Sequence, residues 1–229
     1  MAVSLLEQAF HEVFPKDWCQ DTLRAVAKAY EKTMEHCVPP LFGQDEAHDV
    51  RSHYCRGIFE AEWRRLSNKY PKIKAESRRN KAGNYSHTYV KSGNIILTAS
   101  AVPSPAYKPR RADFRDTYNG NGQLGLFEQD SIADAEDIYA ILLYGPPQSV
   151  SPGFVTIAFP SNHWHSYVER INLLALHPNI ISTIIPEADP IEVKEPIIQP
   201  IRVSPEEKIE EPLQPQIRRF NKQVGEKRQ

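Results

Sequence analysis

The chain has 229 residues, of which 40% are hydrophobic and 25% are charged. This length and composition are enough for one hydrophobic core of ordinary size and for further segments outside that core. Its formal net charge of −1 excludes a general electrostatic attraction to nucleic acid or anionic membranes, so such an attraction has to come from local clusters of charge. No stretch approaches the roughly 20 apolar residues of a membrane-spanning helix, and Glu7 interrupts the N-terminal segment before a secretory apolar region is complete.

The N-terminal part of the chain predicts three helices. Ser4 followed by Glu7 fits a capping box at the start of the first helix. The second is expected to begin at Asp17 and to end before the proline pair at 39–40, because apolar residues recur at helical spacing between them. A third, amphipathic helix is expected over residues 45–70.

The middle of the chain changes to apolar and β-branched runs, which are typical of buried strands. Residues 86–91 and 94–102 predict a hairpin turned at Ser92-Gly93, where glycine can adopt a positive φ. Two further strands are expected over residues 138–144 and 154–159.

A long polar connection, residues 103–136, separates these two pairs of strands, with a short helix expected around residues 112–118. The stretch "FPSNHWHSY" then predicts the start of a late helix over residues 162–176. His163 and His165 are two residues apart and face different directions on such a helix, unlike the i, i+4 pair of a zinc site. The expected fold class is α+β, with the N-terminal helices and the late helix packed on a small, mainly antiparallel sheet.

The prediction for domain organisation is one globular domain over residues 1–178, helical over 1–70 and sheet-containing over 71–178. Residues 179–229 are rich in proline, glutamate and lysine and predict a flexible tail. Within it, "EPIIQPIR" (195–202) and "EPLQPQIR" (211–218) are approximate copies. They suit either two similar docking events in extended conformation or a solvated linker of low complexity.

The cysteine and histidine pattern does not predict a metal site. Cys19, Cys37 and Cys55 are an odd number in a chain without an export signal, so reduced thiols and a cytoplasmic location are expected. Histidines lie near two of them, but the spacing lacks the C-x-x-C or H-x-x-x-H pairs of zinc sites. The sequence also has no phosphate-binding loop and no nucleophile motif, so neither a metal nor a cofactor is expected.

One acidic cluster, Asp134, Glu136 and Asp137, comes directly before a strand. Metal-dependent nucleases use carboxylates in such positions to hold a divalent ion beside the scissile phosphate. The next strand adds neither a second acid nor a lysine, so the constellation is incomplete. With a histidine such as His87 or His163, these residues are the candidates for catalysis by a metal-dependent hydrolase acting on nucleic acid.

Basic residues concentrate between positions 51 and 81, where ten lysines and arginines stand against three glutamates. A second basic run, "YKPRR" (107–111), is followed by Arg115. Arginine predominates over lysine, which favours bidentate contacts to phosphate, although the protein's own acidic segments could neutralise the same residues. The residues expected to contact nucleic acid are Arg64, Arg65, Lys72, Lys74, Arg78, Arg79, Lys81, Arg110 and Arg111.

These patterns lead to three functional hypotheses. The first is a non-enzymatic cytosolic module that binds nucleic acid, or a partner that processes nucleic acid, through a basic face. The second is a protein interaction module that acts through the duplicated tail motifs, and the third is the metal-dependent nuclease or hydrolase. None of them involves a membrane. No RNP-like aromatic strand or helix-turn-helix pattern selects RNA over DNA.

Overall fold

The computed structural model describes residues 4–38, 41–80, 83, 85–122, 137–161, 164 and 166–180. Three helices come first, as the sequence predicts: α1 (Leu5–Val13), α2 (Lys16–His36) and α3 (Gln44–Ser67). Two shorter helices follow later in the chain: α4 (Asp113–Gly122) and α5 (Leu173–Leu176). The Ser4 hydroxyl caps α1 by accepting the Glu7 backbone N–H at 3.1 Å, as expected for this start signal.

Six strands form a single sheet whose spatial order is the same as their order along the chain. They are β1 (Ile73–Arg79), β2 (Ser86–Ser92), β3 (Ile95–Ala101), β4 (Ile138–Gly145), β5 (Phe154–Pro160) and β6 (Tyr167–Asn172). Every neighbouring pair is antiparallel except β3 and β4, which are parallel. The predicted hairpin between β2 and β3 is confirmed, with Gly93 at a φ of +55° in its turn.

The α+β fold class with a mainly antiparallel sheet is therefore confirmed. Helices α1, α2 and α3 cover one side of the sheet, which we call the three-helix face, defined by Val90, Leu97, Leu142 and Ile157. Trp18 and Trp63 lie in this core with ring centroids 6.1 Å apart, and each indole N–H donates to a buried hydroxyl, of Ser67 and Thr22 respectively. Burying the apolar surface of three helices here provides the main stabilisation of the fold.

The other side of the sheet, the α4 face, is defined by Tyr89, Ile96, Tyr139 and Ile141 and carries a smaller core. Helix α4 packs over this face, and Tyr118 and Trp164 contact its apolar residues. Alternation along the strands assigns each residue to one face, so neighbours in sequence end on opposite sides of the sheet.

Two elements differ from the sequence-based prediction. Residues 167–172 form β6, so the late helix expected over residues 162–176 was wrong for most of its length, and only α5 remains of it. All residues of β5 are buried, and pairing with β6 satisfies the backbone groups along an edge that would otherwise be open. Strand β1 was not predicted, because its alternating residues include only two apolar ones, Ile73 and Ala75.

Residues beyond 180 lie outside the described residues, so the predicted tail, its two repeated motifs and the domain boundary at 178 stay predictions. Within the part of the chain that the structure describes, no helix is both long enough and apolar enough to cross a membrane.

Candidate functional site

The predicted basic residues do not form one surface. Arg64 belongs to α3 and lies over the three-helix face, where it donates to the Thr88 hydroxyl at 2.6 Å and lies 3.9 Å from the buried carboxylate of Glu60. Arg65 donates to Glu62 one turn earlier at 2.5 Å. Both arginines are therefore held by acids of their own helix, which reduces the positive potential they present.

Strand β1 carries a second group of the predicted residues. Arg78 lies on the α4 face with its guanidinium 3.4 Å from the centroid of the Tyr89 ring, and it donates to the Tyr118 hydroxyl and to Glu76. Lys74 lies on the same face and is exposed, as are Lys72, before the strand, and Arg79, whose side chain belongs to the other face. Lys81 lies outside the described residues.

Arg110 and Arg111 lie in the segment that leads into α4, and the structure places them at a cavity of about 660 Å³. We call it the cationic cavity; its lining is Lys108, Pro109, Arg110, Arg111, Ala112, Arg115, Asp116, Asn119, Gly120 and Trp164. Three different parts of the chain build it: the loop before α4, one side of α4 and the turn between β5 and β6. Arg78, Arg110 and Arg111 are thus on the α4 side of the sheet, whereas Arg64 and Arg65 are on the other.

Arg115 is the most buried cation of this cavity, with 6% of its surface exposed. Its guanidinium donates to the backbone carbonyls of Arg110 and Ala99, and its Nε has no partner among the described residues. No carboxylate forms an ion pair with it within the described part of the chain. A buried charge without a counter-charge is costly, so this position favours an anion in the cavity.

Asn119 and Trp164 complete the lining of the cavity, and each has a buried polar atom without a partner among the described residues. The Asn119 amide donates to the Ser161 carbonyl at 3.1 Å, which fixes the orientation of the side chain and leaves its Oδ1 as an acceptor without a partner among the described residues. The indole N–H of Trp164 also lacks one. Trp164 has a φ of +60°, a left-handed conformation that is strained for a bulky residue, in a turn closed by hydrogen bonds between Ser161 and Ser166.

A continuous group of rings adjoins the cavity on the α4 face. This aromatic cluster consists of His87, Tyr89, Phe114, Tyr118, Tyr139 and Trp164, and successive ring centroids lie between 3.7 Å and 6.2 Å apart. His87 stacks flat on Phe114, and burial, together with the charges of Arg115 and Arg78, lowers its pKa to about 4. The ring is neutral at pH 7, so it adds no charge to the site.

The charges around the cavity are unbalanced. Lys108, Arg110 and Arg115 are in no ion pair with another described residue, whereas Arg111 bonds to Asp116 at 3.1 Å. Three positive charges therefore remain in the wall of a partly enclosed space, where lower polarity strengthens their attraction to an anion. Cations beside a flat indole ring are suited to a ligand that is anionic at one end and aromatic at the other.

The acidic cluster shows no comparable arrangement. Asp137 forms an ion pair with Lys91 at 2.6 Å at the start of β4, whereas Asp134, Glu136 and His163 lie outside the described residues. Among the residues that the structure does describe, no three His, Cys, Asp or Glu side chains come together to hold a metal ion.

The cysteines belong to the interior of the helical part. Cys19, Cys37 and Cys55 are free and buried, and burial raises the pKa of Cys19 to about 12 and that of Cys55 to about 11. Thiols held in the protonated form are poor nucleophiles.

Sequence reasoning assigned Arg110, Arg111 and Arg115 to a basic patch but missed Asn119 and did not connect Trp164 with that patch. Position 119 lies four residues after position 115, which puts both on one side of α4 and could have indicated a shared wall. Comparison with protein-family models, with curated proteins and with solved structures gives no match.

Proposed function

We propose that this protein is a non-enzymatic module that binds nucleic acid, with the cationic cavity and the adjoining part of the α4 face as its contact surface. The observation that carries this proposal is the excess of positive charge around the cavity, where Lys108, Arg110 and Arg115 have no acid partner among the described residues. Phosphate groups are the anions that such clusters of arginine and lysine bind in nucleic acids.

The neighbouring rings favour nucleic acid over other polyanions. Trp164 is half-buried in the cavity wall, and Phe114 and Tyr118 are partly exposed beside it, so flat bases can approach them. Base stacking on aromatic side chains contributes about 1–3 kcal/mol per base and tolerates different sequences. A polyanion without bases has no aromatic group that could stack on these side chains.

The helix α3 is the weaker candidate for the contact surface. Arg64 and Arg65 already bond to Glu60, Glu62 and Thr88, and an incoming phosphate would have to replace those interactions. We therefore place the contact surface at the segment before α4 and not on the helical half of the chain. A cytosolic location remains part of it, since three free, buried cysteines are compatible with a reducing compartment.

The test is a binding titration of the full chain with labelled single-stranded DNA, duplex DNA and RNA, read by fluorescence anisotropy while salt is raised from about 50 to 200 mM. We expect affinity that falls steeply with salt. The double variant Lys108→Ala, Arg110→Ala should bind more weakly, and the slope of its log affinity against log salt should be smaller in magnitude by about two.

Two variants serve as controls. Arg64→Ala, Arg65→Ala removes the α3 residues and should leave binding unchanged, and Arg24→Ala removes an exposed arginine of α2 that is paired with Asp21. Absence of binding to all three nucleic acids, or binding that depends neither on salt nor on the Lys108/Arg110 change, would exclude the proposal. Cleavage of the labelled strands in the presence of magnesium would exclude its non-enzymatic part.

A further inference from the structure

We infer that the cationic cavity accepts a nucleotide that carries a phosphomonoester, either the phosphorylated end of a strand or a free nucleoside monophosphate. This inference rests on the proposed function and specifies which part of a nucleic acid enters the cavity. It combines the size of the cavity, its charge and the aromatic ring of Trp164 in its wall.

The size of the cavity selects a small unit. Its volume of about 660 Å³ lies within the range of roughly 300–1,000 Å³ that is typical of pockets for drug-sized ligands. A mononucleotide is a ligand of that size. A duplex is too wide to enter such a space, and a continuous strand would have to pass through it. One nucleotide at the end of a strand can enter while the rest of the strand remains on the surface.

The charge of the cavity selects the monoester over the diester. A phosphomonoester carries about −1.5 to −2 at pH 7, whereas each internal phosphate of a strand carries a single negative charge. The wall holds three cations without an acid partner among the described residues: Lys108, Arg110 and Arg115. Arg115 is also held in place by two backbone carbonyls, so little ordering is needed when the anion binds.

The aromatic part of the wall suits a base better than a second phosphate. Trp164 lines the cavity with its indole ring and is half-buried there. A nucleobase has a flat face that can stack on such a ring, whereas a phosphate has none.

The test measures binding of the full chain to single-stranded oligonucleotides of one sequence. These oligonucleotides carry a 5′-phosphate, a 3′-phosphate or hydroxyl groups at both ends. We expect one phosphorylated end to bind about tenfold more tightly than the unphosphorylated strand, because it gains charge-assisted hydrogen bonds. Adenosine monophosphate should compete for the site, while adenosine and inorganic phosphate should each compete more weakly.

A second readout uses tryptophan fluorescence. Trp18 and Trp63 are fully buried on the three-helix face, whereas Trp164 lines the cavity, so adenosine monophosphate should quench only the emission of Trp164. The quenching should disappear in Trp164→Phe and persist in Trp63→Phe. Arg110→Ala should remove the preference for a phosphorylated end even if Arg115→Ala fails to fold.

The possible outcomes separate this inference from the function on which it rests. Equal affinity for phosphorylated and unphosphorylated strands would overturn the inference and leave nucleic-acid binding in place. Binding of adenosine monophosphate without binding of any oligonucleotide would support the cavity's ligand class and overturn the proposed function. Failure of both would overturn both.

Discussion

His87 should make the stability of this protein depend on pH in a way that can be isolated by one substitution. The side chain is 3% exposed, stacks on Phe114 with ring centroids 3.7 Å apart, and has no partner for either ring nitrogen among the described residues. Burial and the charges of Arg115 and Arg78 lower its pKa from 6.5 to about 4. The folded protein therefore keeps this imidazole neutral.

The size of the effect follows from proton linkage. Between pH 6.5 and about 4, the unfolded chain takes up a proton on this histidine and the folded chain does not. Each pH unit in that window costs about 1.36 kcal/mol, so the loss is on the order of 3 kcal/mol by pH 4. The stabilisation is present in full above pH 6.5 and is lost as the pH falls.

The variant His87→Phe retains the stack on Phe114 and has no group to protonate. We expect urea unfolding at pH 7 and pH 4.5 to show a smaller loss of unfolding free energy in this variant than in the wild type. The difference between the two losses should be most of the loss attributed to His87. At pH 7 it should also be slightly more stable, because a buried N–H without an acceptor is removed. The control is His48→Gln, a change at a side chain that is 62% exposed. An equal decline in the wild type and His87→Phe would refute the reasoning.

Other substitutions test the packing. Gly145→Ala should destabilise the fold by at least about 2 kcal/mol in urea unfolding, because a Cβ there would lie 2.0 Å from the Val102 carbonyl oxygen. Its matched control, Gly57→Ala in the interior of α3, meets nothing within 4 Å and should stabilise by about 0.5–1 kcal/mol; a loss of stability there would contradict the packing described. Trp63→Ala should cost about 3–5 kcal/mol in the same assay, because it empties a fully buried site and removes the hydrogen bond to Thr22; a cost below about 1 kcal/mol would be inconsistent with that burial.

The helices and most strands could be predicted because their signals are local. The Ser4 cap, the proline pair after α2 and the buried runs of β4 and β5 each specify an element from a few neighbouring residues. Strand β6 pairs with the neighbouring strand β5 across a short turn, and this pairing outweighs the helical spacing of its apolar residues. The apolar pattern of residues 167–172 by itself does not show that pairing.

The candidate site was harder to predict for a related reason. Positive charge is visible in sequence, but which face of a sheet receives it depends on register and on the packing of α4. Arg64 and Arg78 are 14 positions apart and were expected on one surface, yet their partners Thr88 and Tyr89 are consecutive residues of β2 that point to opposite faces. The contribution of Trp164 depends on the turn between β5 and β6, which the sequence-based prediction had interpreted as the start of a helix.

Because β3 and β4 are parallel, most residues that build the cavity wall are separate along the chain from those that build the sheet. Since both strands run in the same direction, the connection between them must carry the chain back along the sheet before β4 can begin. That return path includes α4 and the basic segment, which form most of the cavity wall. Residues 103–122 can therefore accumulate substitutions, in evolution or in a designed library, that change the cavity wall while the hydrogen bonding of the six strands stays the same. The shape and charge of the cavity can diversify faster than the sheet that supports it.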